Sequence, residues 1–139
     1  MGAWGMGVFE NDDASDWVYE LEQSSDLSVV QQTLAEVAGP GGSADDEDGP
    51  QAPDAAAALA AAEVVATLRG RPGDGVPDDV GKWVAALGEP ASGELVGLAR
   101  AAVRQVLTAS ELKDLYDEAG VESSEEWEAC LDDLLTRLE

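Results

Sequence analysis

The chain has 139 residues, 45% of them hydrophobic, which suits one globular domain whose core needs neither metal nor disulfide. Thirty Asp and Glu against seven Lys and Arg give a net charge of −23, which argues against phosphate-backbone binding because that needs basic side chains. There is no histidine, so the chain has no ordinary general base near neutral pH, no Ser–His or Cys–His nucleophile and no His metal ligand.

Residues 2–10 are too glycine-rich for a helix and too short for an independent strand. They predict an ordered extended arm in which Trp4 and Phe9 dock on the core and Gly5 and Gly7 allow close backbone approach. A first helix starts at Asn11 or Asp12, with Ala14, Trp17, Val18 and Leu21 on its apolar face. A second, capped by Ser25 or Asp26, carries Leu27, Val30, Leu34 and Val37. Gly39-Pro40-Gly41-Gly42 ends it. Residues 39–53, with the run Asp45-Asp46-Glu47-Asp48, predict a mobile acidic loop.

A third helix over about 54–69 is nearly all alanine, which suits close contact with several neighbours at once, and Gly70 stops it. Pro77 opens a fourth, with Val80, Trp83, Val84 and Leu87 on one face. A fifth runs from about Gly93 to Leu107 with Leu95, Leu98, Ala99, Ala102, Val103, Val106 and Leu107. A short sixth, capped by Ser110 and faced by Leu112, Leu115 and Tyr116, stops at Gly120. A seventh, capped by Ser123 or Ser124, carries Trp127, Leu131, Leu134, Leu135 and Leu138. No alternating pattern marks a strand. The fold class is all-α: one compact domain over 1–139, a bundle of six or seven helices.

Charge is unevenly spread. Met1 to Leu68 holds 14 acids and no base, Arg69 to Ala109 five of each, and Ser110 to Glu139 11 acids against Lys113 and Arg137. Two acidic flanks thus enclose a neutral centre, an arrangement that steers basic proteins, although acidity also serves solubility alone. No apolar run has the length of a membrane span, and no secretory leader pattern opens the chain, so the cytoplasm is the expected location.

Met1-Gly2-Ala3-Trp4-Gly5, followed by Gly7, Phe9, Asn11-Asp12, Ala14 and Asp16-Trp17, resembles the N-terminal signature of a bacterial family of unknown function, family 4259 of the domains of unknown function. Met6 departs from the pattern, where a polar residue or histidine is common. The resemblance implies a small acidic bacterial protein and carries no activity or catalytic residue.

Each chemical constellation has a plain structural counterpart. Gly2, Gly5 and Gly7 look like a phosphate loop, but Glu10, Asp12, Asp13 and Asp16 crowd the helix start that a phosphate would need. Asp12, Asp13 and Asp16, with Asn11, present oxygens for a hard cation, yet a helix N-terminus attracts the same residues. Trp4, Trp17, Trp83 and Trp127 suit a core better than a ligand pocket. Cys130 sits among Glu126, Glu128, Asp132 and Asp133, which disfavour its thiolate.

The favoured reading is a non-enzymatic, acidic protein-binding module without a cofactor, resembling immunity proteins or antitoxins in its logic and capturing a basic protein. The motif residues Trp4, Gly5, Gly7, Phe9, Asn11, Asp12, Asp16 and Trp17 are its candidate binding positions. The alternatives are a small-molecule or metal-binding protein with a site near the N-terminal arm, and a mimic of nucleic acid.

Overall fold

A computed structural model describes residues 12–24, 26–38, 52–71, 76, 78–88, 91–108 and 111–138. The described residues form seven helices and no strand: α1 (Asp12–Glu22), α2 (Ser28–Ala38), α3 (Ala52–Leu68), α4 (Asp78–Leu87), α5 (Gly93–Thr108), α6 (Glu111–Ala119) and α7 (Val121–Arg137). The expected all-α class is therefore observed. The expected N-terminal arm lies outside the described residues, as does the expected acidic loop up to residue 51. The last two residues given to that loop open α3 instead.

The bundle is organised around α3, which touches each of the other six helices. From Ala55 to Ala66 every side chain except Ala57 is buried. Alanine makes this possible. It is the strongest helix former, and its single methyl lets neighbouring helices close in from all sides. α2 and α5 pack on α3 and on each other, α1 and α4 cover another side, and the α6–α7 pair closes against α3 and α5.

The periodic stripes face inward as expected. Ala14, Trp17, Val18 and Leu21 of α1, Val30, Leu34 and Val37 of α2, and Trp127, Leu131, Leu134 and Leu138 of α7 belong to one continuous core. Three tryptophans join helices. Trp17 Nε1–H donates to Thr33 Oγ1 at 2.8 Å, tying α1 to α2. Trp83 Nε1–H donates to the Ser24 carbonyl at 2.9 Å, tying α4 to the α1–α2 turn. Trp127 stacks on Tyr116 with ring centroids 5.1 Å apart, tying α7 to α6.

The helix ends follow local chemistry, with one correction. Asp26 Oδ1 accepts the Ser28 N–H at 3.0 Å, and Ser92 Oγ accepts the Leu95 N–H at 3.1 Å, satisfying otherwise orphaned donors at the starts of α2 and α5. Gly70 and Gly88 leave α3 and α4 with φ of 80° and 68°, the left-handed exit that glycine permits. α7, however, is not capped by Ser123 or Ser124. It begins at Val121, directly after Gly120, whose φ of 127° and ψ of 163° turn the chain within one residue. Ser124 instead donates its hydroxyl to Asp117 Oδ1 at 2.7 Å, bracing the α6–α7 joint.

One polar group enters the core. Glu63, the only buried polar or charged residue among those described, meets Arg137 from the last turn of α7. Arg137 Nη2 donates to Glu63 Oε1 at 2.9 Å and Nη1 donates to Oε2, a two-pronged pairing. Arg137 also donates from Nε to Asp133 Oδ2 at 2.9 Å and from Nη1 to the Arg71 carbonyl at 3.2 Å. Burial alone pulls the Arg137 guanidinium toward neutrality, but the hydrogen bonds and charges of Glu63 and Asp133 outweigh it and hold the group above its ordinary value.

Candidate functional site

A groove of about 370 Å³ lies where α1, α2 and the start of α3 meet. Its lining follows from helical spacing. Asp16 and Glu20 stand one turn apart on the flank of α1 beside Trp17, so their carboxylates share one edge. Gln32 and Glu36 stand one turn apart on α2, beside Val29 and Thr33, and form the facing edge. Asp54, in the first turn of α3, adds a fourth carboxylate, with Ala57 beneath it.

Trp17, Val29 and Ala57 make the floor apolar, and hydrogen bonds hold it in place. Trp17 donates to Thr33 Oγ1, and the Thr33 hydroxyl donates in turn to the Val29 carbonyl at 2.7 Å. The Thr33 hydroxyl is thus engaged in holding the floor. Four acids and no base line it. Among the described residues no three His, Cys, Asp or Glu side chains gather closely enough to hold a metal ion. The groove's carboxylates are spread around a rim rather than focused on a point.

A second groove, of about 320 Å³, lies between α2 and α5 and is lined by Leu27, Gln31, Ser92, Glu94, Leu95 and Leu98. It carries a single acid and no concentration of charge.

Of the candidate binding positions, Trp4, Gly5, Gly7, Phe9 and Asn11 lie outside the described residues. Asp12 and Asp13 open α1, their side chains not among those described. Asp16 stands exposed on the groove's rim and Trp17 buried in its floor. The groove therefore takes in two residues of the N-terminal motif and adds Glu20, Val29, Gln32, Thr33, Glu36, Asp54 and Ala57, which the sequence did not single out. The Asp16/Glu20 spacing was a readable sign of the α1 edge. The contribution of α3 depends on a contact between segments some 40 residues apart and left no local mark.

Elsewhere, α7 exposes Glu125, Asp132 and Asp133, with Glu128 half-buried, and Asp133 is engaged by Arg137. Cys130 is half-buried.

Residues 2–129 match the family described as "Domain of unknown function (DUF4259)". The chain belongs to this family. Searches of curated proteins and of solved structures found no match. Membership in DUF4259 covers the whole groove and brings no assigned activity with it. No helix among the described residues of this DUF4259 member is long and apolar enough to cross a membrane.

Proposed function

We propose that this protein is a non-enzymatic binding module that captures a basic protein, with the groove between α1, α2 and α3 receiving a lysine or arginine side chain of that partner. One observation carries the reading: three helices bring Asp16, Glu20, Glu36 and Asp54 around an apolar floor with no base among the lining residues. A guanidinium or ammonium there gains charge-assisted hydrogen bonds that are stronger than neutral ones. The net charge of −23 raises the encounter rate with a cationic surface, so the groove supplies the seat and the flanks supply the steering. The lack of histidine and the engaged hydroxyl of Thr33 support binding over catalysis. Neutralising a basic toxin, as immunity proteins and antitoxins do, is a setting that suits this chemistry.

The test compares two variants of equal charge change. One neutralises the groove (Asp16→Asn, Glu20→Gln, Glu36→Gln, Asp54→Asn). The other neutralises exposed acids on α6 and α7 (Glu118→Gln, Glu125→Gln, Glu126→Gln, Asp132→Asn). Affinity capture from the native cell at low salt is expected to retain a basic protein on wild type and on the α6–α7 variant, and to lose it from the groove variant. Equal retention by both variants refutes the groove as the seat.

A further inference from the structure

From the Glu63–Arg137 pair we infer a register key: it selects the rotation and axial position of α3 within the bundle, a role distinct from supplying net stability. An amphipathic helix is oriented by its own pattern, because only one face is apolar. α3 has no such pattern. Over three turns, Ala55 to Ala66, every residue but Glu63 is apolar and every side chain but the half-buried Ala57 is enclosed. Turning it by one residue, about 100°, exchanges alanine for alanine at most positions between 55 and 62. Leu59, Val64 and Val65 add contrast in size but none in polarity, and apolar cores accept repacking of this kind, losing uniqueness before stability.

Glu63 breaks this degeneracy. It is the one described polar side chain within the core, and its two carboxylate oxygens meet two nitrogens of one guanidinium. Turning α3 parts that carboxylate from its guanidinium and leaves it unpaired, against apolar neighbours on most sides and against the groove's four carboxylates on the Ala57 side. An unpaired buried carboxylate is far more costly than an imperfect apolar contact. Arg137 is itself positioned by Asp133 on its own helix and by the Arg71 carbonyl just past the end of α3. The pair therefore sets α3 against α7 and against its own exit at once. In some proteins buried polar pairs select a structure while adding little stability.

The experiment replaces both partners by apolar residues, Glu63→Leu with Arg137→Met, and follows tryptophan indole N–H signals by nuclear magnetic resonance alongside near- and far-ultraviolet circular dichroism and urea unfolding. The expected result is retained helical signal and an unfolding midpoint equal to or above wild type. It is accompanied by broadened or multiple indole signals, loss of near-ultraviolet signal and a shallower transition. Glu63→Gln, which keeps one acceptor for the Arg137 guanidinium and stays polar, is expected to keep one sharp set. A double variant with one sharp set at wild-type positions overturns the proposal. So does a double variant that fails to fold, because the pair then holds the fold up rather than choosing among packings.

Discussion

Arg137→Met alone should have a large effect, because it removes the partner and leaves Glu63 behind. The Glu63 side chain is 6% exposed and that of Arg137 17%, so the pair is nearly dry but touches solvent along one edge of the arginine. Breaking a buried pair from one side costs about 3–5 kcal/mol. Water entering at the arginine's open edge places this case at the lower end, about 3 kcal/mol. The lost contact with Asp133, whose side chain is 66% exposed, adds only about 0.3–0.5 kcal/mol. Methionine keeps the apolar stem, so little packing is lost. For a domain of this size, about 3 kcal/mol corresponds to a fall in Tm of roughly 10 °C, and to a lower urea midpoint by about 1.5 M when m is about 2 kcal/mol/M. Urea unfolding at pH 7 by tryptophan fluorescence measures it, with Asp133→Asn as the exposed control. A loss below about 1 kcal/mol, similar to that of the control, refutes the claim that Glu63 depends on Arg137.

Gly120→Ala should destabilise by about 1–3 kcal/mol, read from thermal unfolding; a Cβ meets nothing within 4 Å there, so the whole cost is the strained backbone conformation. Arg100→Met should leave stability unchanged or raise it by up to about 1 kcal/mol in urea unfolding, since Arg100 Nε is buried without an acceptor. The Asp26 carboxyl is held below its ordinary value by the Ser28 N–H, with the hydroxyls of Ser28 and Ser24 assisting against slight desolvation. Its contribution is therefore present above the unfolded value, about 3.9, and lost as pH falls through the folded one, so the stability advantage of wild type over Asp26→Asn should shrink as pH falls below about 4.

The helices and their inward faces were legible because burial here follows period. The stripe Val30, Leu34 and Val37 admits one helical face, and the alanine run of α3 admits close contact on every side. The start of α7 was misplaced because serine and acidic residues at 123–126 follow the capping rules, whereas the chain turns at Gly120 through a backbone conformation that no side-chain pattern announces. Trp17 was legible as core from its place in the α1 stripe. The pairing of Glu63 with Arg137 was not, because the partners lie 74 residues apart and a lone acid in an alanine helix reads as solvent-exposed until the tertiary packing is known. The sequence marked only Asp16 and Trp17 of the groove, for the same reason. Asp16 and Glu20 follow from one helix, while Glu36 and Asp54 join them only once α2 and α3 are packed.

The acidic groove is tested most directly by titrating the isotope-labelled full chain with a short arginine-rich peptide and following backbone amide shifts, in wild type and in the groove-neutralised variant. The account predicts saturable shifts concentrated at Trp17, Thr33 and Ala57, lost in the variant and weakened by salt. Shifts spread evenly over the acidic surface of α6 and α7, and unchanged in the variant, would contradict it.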